Sequence, residues 1–175
     1  RRQPGGLCSG QLTLLEPGQA VRAFLRPNPA FRMGDGDAPV ILVGAGSGIG
    51  PLAGFIRANA ARRPLHLFFG MRDAASDFHY GEELAGWYAD GKLSSLVTAG
   101  AAERRYGVDT HYVQDALRAE AHEVARMVSR GARIMVCGGR EMAAGVSEAL
   151  AHILAPTGLS PAVLRAEGRY VEDVY

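Results

Sequence analysis

The stretch that decides the fold is VILVGAGSGIGP, residues 40–51, in which a short apolar run passes into a glycine-rich turn. Residues 52–61 then have helical character, so the turn joins a strand to the start of a helix. The start of a helix presents backbone N–H groups without intrahelical partners, together with the positive end of the helix dipole. This arrangement predicts a phosphate or pyrophosphate site at the turn.

The residue types within the turn support that prediction. Gly44, Gly46 and Gly48 have no Cβ, so the backbone can turn tightly and approach an anion closely. Ser47 adds a hydroxyl donor, and Pro51 suits the first helical turn, where its missing N–H would have no partner anyway. A glycine pattern alone is weakly specific, but the preceding strand and following helix favour a nucleotide site.

Composition limits the class of protein. The 175 residues are 47% hydrophobic and 21% charged, which is typical of a globular domain with room for part of a second one. A net charge of +1 gives no reason to expect a nucleic-acid partner. Cys8 and Cys137 form no disulfide framework, which favours a reducing, cytoplasmic location. The sequence contains no metal-ligand pattern and no apolar run of the roughly 18 residues that a membrane span needs.

Strands and helices alternate from Ala38 onward, and this alternation predicts an α/β fold with a doubly wound, five-stranded parallel, Rossmann-like sheet. The predicted strands are residues 40–43, 65–69, 93–98, 133–137 and a short one near 162–164. The predicted helices are residues 52–61, 80–90, 113–129 (broken) and 141–154. Ligands of such sheets bind at the carboxyl ends of the strands, so the residues just after each strand are the candidates for a site.

Residues 1–35 have a different pattern and are predicted to be a separate unit, followed by the main domain, residues 36–175. A short helical stretch is expected at residues 10–15 and a half-buried strand at residues 21–26, before a Pro- and Gly-rich linker. The abrupt start of the chain leads us to expect that it was cut from a longer protein.

Several strand ends carry residues with two interpretations. Arg72 could give a forked donor to a phosphate or could be a solvated surface arginine. Cys137 could face the ligand cleft or could be a small buried hydrophobe. The cluster of Arg104, Arg105, Tyr106 and His111 could hold an extra phosphate, with an adenine stacked on Tyr106 or Tyr112, or could be a solvated loop.

Together these motifs resemble the C-terminal part of the ferredoxin–NADP reductase superfamily, in its diflavin branch with cytochrome P450 reductase and the sulfite reductase flavoprotein. The similar segments, in family order, are Gly6-Leu7-Cys8-Ser9, residues 44–51, residues 68–72 with 77–84, Tyr112-Val113-Gln114, Cys137-Gly138, and residues 168–175. The resemblance covers nearly the whole chain.

The resemblance implies a role for each segment. The Gly44–Gly50 loop and Arg72 would hold the pyrophosphate of NADPH, Tyr112 and Gln114 its adenosine side, and Gly138 its nicotinamide side. Met142 is also expected to contact the cofactor. Cys137 and Asp173 would orient hydride transfer to FAD, and Tyr175 would stack on the flavin ring until the nicotinamide replaces it. Gly6, Leu7, Cys8 and Ser9 would contact the FAD pyrophosphate, with residues 1–35 a remnant of an FAD-binding β-barrel.

The implied function is a flavoprotein oxidoreductase module that passes hydride from NADPH to FAD. Electrons would go on to FMN or a flavodoxin-type domain, or to a heme or iron–sulfur acceptor protein. An FAD domain would lie upstream, and whether an FMN domain or a membrane segment also lies upstream is left open. The final acceptor and the oligomeric state are left open.

The chain also departs from the family pattern on the adenosine side. The Ser-Arg pair that binds the 2′-phosphate falls near Ala101-Ala102, and the lysine before Tyr-Val-Gln is Thr110. Gly139 and Gly145 replace two acidic residues. A preference for NADPH over NADH therefore depends on Arg104, Arg105 and His111 acting in their place.

Two other functions fit parts of the sequence. The glycine run, with Tyr88 and Lys92 at Tyr-x-x-x-Lys spacing, also resembles short-chain dehydrogenases, although Gly91 should end that helix and Pro51 is foreign to that family. The missing phosphate ligands would suit a nucleotide-sensing domain without catalysis. The presence of Cys137, Asp173 and Tyr175 argues against that alternative.

Overall fold

Five parallel strands form the central sheet of the computed structural model, which describes residues 7–175. In chain order the strands are β1 (Val40–Ala45), β2 (Leu65–Gly70), β3 (Ser95–Ala99), β4 (Arg104–Arg105), β5 (Val108–Asp109), β6 (Arg133–Gly138) and β7 (Tyr170–Val174). The sheet order is β3-β2-β1-β6-β7, and β4 pairs with β5 as a separate antiparallel hairpin. The predicted α/β fold with a five-stranded parallel sheet is confirmed.

Helices cover both faces of the sheet. In chain order the helices of the described residues are α1 (Leu7–Thr13), α2 (Ile49–Arg57), α3 (Ala74–Asp77), α4 (Gly81–Ala89), α5 (Val113–Ala119), α6 (Ala121–Ser129), α7 (Arg140–Leu154) and α8 (Pro161–Ala166). Helix α1 is exposed and belongs to neither apolar cluster. Successive strand residues point to opposite faces, so Val40 and Leu42 pack in one apolar cluster with α2 and α4. Ile41 and Val43 pack in the other cluster, with α5 to α8. The sheet is therefore doubly wound, with its strands buried on both sides.

The order of the strands places a crevice beside β1. The chain moves outward from β1 to β2 and β3, then returns to the other side of β1 with β6 and β7. In the register, Gly44 of β1 lies between Phe69 of β2 and Cys137 of β6. The switch point between β1 and β6 is where ligands of open parallel sheets bind.

The predicted strand near residues 162–164 is wrong, because those residues belong to α8. Ser160 caps this helix by accepting a hydrogen bond from the Val163 N–H at 3.3 Å, and Pro161 occupies the first helical position. The fifth strand is β7 instead, which lies parallel to β6 with Tyr170 opposite Ile134.

The predicted strand at residues 21–26 is also wrong: the segment has no regular structure, and Phe24 and Leu25 are each 89% exposed. A strand needs a neighbour to satisfy its backbone groups, and no described residue pairs with this segment. The preceding helix occupies Leu7–Thr13 rather than residues 10–15.

The predicted linker before β1 is anchored to the main domain. The Arg63 guanidinium donates to the carbonyl groups of Met33, Gly34 and Ala38, at 2.6–3.0 Å. Phe31 is buried and its ring lies 5.7 Å from that of Phe55 in α2.

The predicted break in the helix of residues 113–129 falls at Glu120, between α5 and α6. Within residues 7–175, no helix has the length and apolar character needed to cross a bilayer.

Candidate functional site

A cleft of about 1330 Å³ opens at the carboxyl ends of the strands. Its walls come from both sides of the switch point: the glycine loop after β1, the segments after β2 and β3, and the start of α7 after β6. The predicted site residues on its surface are Gly46, Ser47, Arg72, Tyr112, Gln114, Met142 and Tyr175. The volume exceeds the usual range for small-ligand pockets, so an extended ligand is suitable.

The three predicted glycines of the loop have different structural roles. A Cβ on Gly48 would lie 2.1 Å from the Cys137 carbonyl oxygen, and one on Gly44 would lie 2.8 Å from Leu52 Cδ1. Both glycines therefore permit the close packing of the loop and α2 against β6. Gly46 has a φ of +54°, and no described atom lies within 4 Å of its Cβ position. The loop is thus open on the Gly46 side, which lines the cleft.

Helix geometry around the loop favours an anion. Gly46–Gly48 form a single 3₁₀ turn that runs directly into α2, so the first N–H groups of this continuous helical segment have no partner within the helix. Pro51, which the resemblance includes among the cofactor-binding residues, lies within the first turn of α2 and does not line the cleft. The loop provides backbone donors, the Ser47 hydroxyl and the helix dipole at one place.

Tyr175 at the C-terminus lies over the glycine loop. Its hydroxyl and the Ser47 hydroxyl share a hydrogen bond of 2.5 Å, and its backbone N–H donates to the Gly138 carbonyl at 3.2 Å. The side chain is nevertheless 64% exposed. Tyr175 is therefore fixed at its hydroxyl while one face of its ring remains accessible.

Cys137 and Asp173 lie opposite each other on β6 and β7. The Cys137 thiol is only 3% exposed and packs with the apolar cluster on the α2 side of the sheet. Burial, with a smaller contribution from Asp173, raises the pKa of the Cys137 thiol to about 11. The thiol is therefore protonated near neutral pH and is suited to packing or weak hydrogen bonding, not to attack as a thiolate. Asp173 accepts a hydrogen bond from the Asn28 side chain at 3.4 Å.

The two predicted arginines after β3 do not lie on the cleft surface. Arg104 forms an ion pair with Asp109 at 3.0 Å within the β4–β5 hairpin. Arg105 forms an ion pair with Glu120 and lies over the Tyr106 ring, 5.4 Å from its centroid. The positions near this end that do line the cleft are Ala101, His111 and Tyr112.

Gln114 has an unused acceptor next to the cleft. Its Oε1 atom is buried and has no hydrogen-bond partner within the described part of the chain. Gly145 lies directly beneath this side chain, because a Cβ at that position would be 3.0 Å from Gln114 Nε2. The glycine at position 145 thus gives the Gln114 amide room at the α5–α7 contact.

The structure adds cleft residues that the sequence analysis did not assign, namely His79, Tyr80 and Glu83, between α3 and α4 and in α4. They follow β2, but a loop and a short helix intervene, so their distance from the strand end hid them. Of the predicted flavin motif, Leu7 and Cys8 are exposed in α1, which also contains Ser9, and Gly6 lies outside the described residues. No group of three or more potential metal ligands occurs in the described part of the molecule.

Comparison with known proteins gives a family for this site. The family model described as the oxidoreductase NAD-binding domain matches residues 42–148, which include the glycine loop, Arg72, Tyr112 and Cys137. This range begins in β1 and ends in α7.

Similar proteins include sulfite reductase flavoproteins and a self-sufficient cytochrome P450 monooxygenase. The sulfite reductase [NADPH] flavoprotein alpha-component of Salmonella typhimurium is 36% identical over 188 aligned positions, covering 100% of this chain and 31% of that protein. The corresponding protein of Thiocapsa roseopersicina is 38% identical over 152 positions, covering 84% of this chain and 28% of its own length. A self-sufficient cytochrome P450 monooxygenase of Oidiodendron maius is 38% identical over 164 positions, covering 87% of this chain and 15% of that protein. The chain thus spans less than a third of the length of these relatives.

Proposed function

Because the chain belongs to the family of oxidoreductase NAD-binding domains, in the diflavin branch of the ferredoxin–NADP reductase superfamily, we propose that it binds NADPH across the cleft and presents the nicotinamide to FAD. The observation that carries this proposal is the glycine loop at the switch point, packed against β6 below and open at Gly46 above. A pyrophosphate suits that opening because the loop provides donors and no described atom lies within 4 Å of the Gly46 Cβ position. The Tyr175 hydroxyl, which is bonded to Ser47, would have to move aside.

The central part of the dinucleotide would lie on the loop. Backbone N–H groups of Gly46–Gly48 and the Ser47 hydroxyl would donate to the pyrophosphate, with Arg72 beside them at the end of β2. Arg72 follows the strand that pairs with β1, since Gly70 lies opposite Ala45. Its forked guanidinium is suited to a phosphate in that position.

The adenosine would extend toward β3, where Tyr112 is 66% exposed and offers a stacking face. The position of Tyr112 is set by Asp115, whose carboxylate accepts a hydrogen bond from the Tyr112 N–H at 2.9 Å. The unused Gln114 Oε1 would accept a hydrogen bond from a donor group of the ligand. For Arg104 and Arg105 to contact the ligand, each would have to leave its present ion pair.

The nicotinamide would extend the other way, toward β6 and β7. When bound, NADPH supplies a hydride, and the role of the chain is to orient the ring and exclude water. Met142 and Gly138 would flank the ring, and Tyr175 would leave this place for it. Cys137, protonated and buried, and Asp173 beside it would fix the geometry of transfer.

The flavin would be held mainly by polypeptide outside this chain. We propose that residues 1–35 end an FAD-binding domain, and that electrons continue to FMN, a flavodoxin-type domain or a heme or iron–sulfur acceptor. The exposure of Leu7, Phe24 and Leu25, at 89–90% each, supports a covering domain on this segment. The sulfite reductase and P450 relatives support this type of electron transfer.

The proposal is tested on the protein produced from the complete gene. NADPH added without oxygen should bleach the flavin absorption, and Cys137→Ala should slow bleaching with little change in NADP⁺ affinity. Cys8→Ala is the matched control for thiol loss. A flavin-free protein that binds NADP⁺ would support the sensing domain instead, and unchanged stopped-flow rates in Cys137→Ala would remove that residue from the site.

The arrangement of Tyr88 and Lys92 disfavours a short-chain dehydrogenase. Helix α4 ends at Ala89, and Gly91 has a φ of +73°, so the two residues do not share one helical face. Neither residue lines the cleft. Alcohol-dependent reduction of NAD by this chain without flavin would be the result that revives this alternative.

A further inference from the structure

The loop after β3 is closed at its base by backbone hydrogen bonds. The Gly100 N–H donates to the Thr110 carbonyl and the Thr110 N–H donates to the Glu103 carbonyl, each at 2.9 Å. Glu103 also accepts a hydrogen bond from the Thr98 hydroxyl at 3.2 Å. The closure places Ala101 and His111, the residues that follow Gly100 and Thr110, on the cleft surface. The β4–β5 hairpin extends beyond this closure.

The two arginines of the β4–β5 hairpin already form ion pairs within the protein. Arg104 pairs with Asp109 and also donates to the Gly107 carbonyl at 2.9 Å, so both interactions stay within the hairpin. Arg105 pairs with Glu120 at the junction of α5 and α6. Moving either guanidinium to the cleft would leave a carboxylate without its partner, which costs free energy that a new contact must offset.

The basic residues that line the cleft, among the described residues, are Arg72, His79 and His111. Arg72 follows β2, which pairs with the strand that leads into the glycine loop. In the proposed function it therefore donates to the pyrophosphate. His79 shares its wall with the carboxylate of Glu83, which opposes a second anion there. His111 directly precedes Tyr112, whose exposed ring offers the stacking face for adenine.

From this placement we infer that His111 recognises the 2′-phosphate that distinguishes NADPH from NADH. The inference rests on the proposed function. Ala101, His111 and Tyr112 all line the cleft, so an adenosine stacked on Tyr112 would have its ribose on that part of the surface. Ala101 has a small side chain without a donor, so it leaves space for the phosphate and adds no contact of its own. An imidazole provides an N–H donor, and a positive charge when protonated, to the phosphate but gains less from a 2′-hydroxyl.

Two adenosine compounds test the inference on this chain without hydride transfer. Adenosine 2′,5′-bisphosphate and 5′-AMP differ only in the 2′-phosphate, and calorimetric titration gives the ratio of their affinities. The wild-type chain should prefer the bisphosphate by about tenfold, as expected for one charge-assisted contact near solvent. His111→Ala should reduce the preference to about twofold or less, and His111→Arg should restore it.

Control variants separate His111 from the other basic residues. His79→Ala matches the loss of an imidazole that lines the cleft but follows β2 and not β3, and Arg104→Gln with Arg105→Gln removes the hairpin charges. Both controls should keep the wild-type ratio. A ratio that survives His111→Ala but disappears in the arginine variant would overturn the inference, as would a wild-type ratio near one, while both results leave the proposed function standing. If neither compound nor NADP⁺ binds the wild-type chain, the proposed function fails and the inference fails with it.

Discussion

Ser47 and Tyr175, 128 residues apart in the chain, share a hydrogen bond of 2.5 Å between their hydroxyl groups. The bond joins the loop proposed to hold the pyrophosphate to the aromatic residue proposed to cover the flavin. A ligand phosphate that takes the Ser47 hydroxyl therefore competes with Tyr175 for the same group. Binding of the dinucleotide at the loop would in this way loosen the side chain that must move for the nicotinamide.

Tyr175→Phe tests this competition. Loss of the phenol hydroxyl frees Ser47, so NADP⁺ should bind this chain about two- to tenfold more tightly, the range expected for a net hydrogen bond worth about 0.5–1.5 kcal/mol. Calorimetric titration measures the effect. Tyr88→Phe is the control, because Tyr88 is exposed in α4 and does not line the cleft. Equal or weaker binding by Tyr175→Phe would show that the two groups do not compete.

Gly48→Ala tests the packing of the loop against β6. The added methyl group would lie 2.1 Å from a backbone carbonyl oxygen, which no side-chain rotation can relieve. We expect the free energy of unfolding to fall by about 3 kcal/mol or more in urea denaturation. Gly54→Ala, in the same helix, meets no described atom within 4 Å and should stabilise the protein by up to about 1 kcal/mol. Similar stability for the two variants would contradict the close packing.

Burial of Cys137 should make the free energy of unfolding depend on pH in the alkaline range. Its pKa is raised by burial from 9.0 to about 11, so the folded state retains the proton more strongly than the unfolded state does. The resulting stabilisation is fully present below pH 9 and is lost as the pH rises through 11, amounting to roughly 2 kcal/mol. Wild-type protein should therefore lose stability more steeply over this range than Cys137→Ala. Parallel curves for the two proteins would mean that the thiol is not shielded from water.

Thiol labelling measures the same burial independently. At pH 7.5 a maleimide should react with exposed Cys8 and leave Cys137 unmodified until the protein is unfolded. Cys8→Ala should then show almost no labelling in the folded state. Rapid labelling of folded Cys8→Ala would place the Cys137 sulfur in contact with solvent.

The sequence predicted the centre of the fold well, because β1, β2 and β6 are buried on both faces and appear as continuous apolar runs. It failed at the edge of the sheet. β7 contains Glu172 and Asp173, so its pattern did not indicate a strand, whereas the apolar residues 162–164 follow a proline that begins a helix. Residues 21–26 alternate correctly but have no partner strand among the described residues, and alternation alone does not make a strand.

The site was predictable where neighbouring residues carry the signal. The glycine loop and Arg72 come just after strands, Tyr112 was identified from the Tyr112-Val113-Gln114 motif, and the structure places parts of all three segments on one cleft. Long-range pairs were not predictable. Nothing local to Arg105 indicates that Glu120 neutralises it, and nothing near Gly145 indicates that Gln114 lies above it. Such contacts depend on the packing of separate helices and strands.

A crystal structure of this chain with NADP⁺ tests the central proposal most directly. We predict pyrophosphate density on the glycine loop, with oxygen atoms about 3 Å from the backbone nitrogen atoms of Gly46–Gly48 and from Ser47 Oγ. The Tyr175 hydroxyl should then have left Ser47. NADP⁺ density elsewhere on the molecule, with the loop empty and the Ser47–Tyr175 hydrogen bond intact, would contradict the proposal.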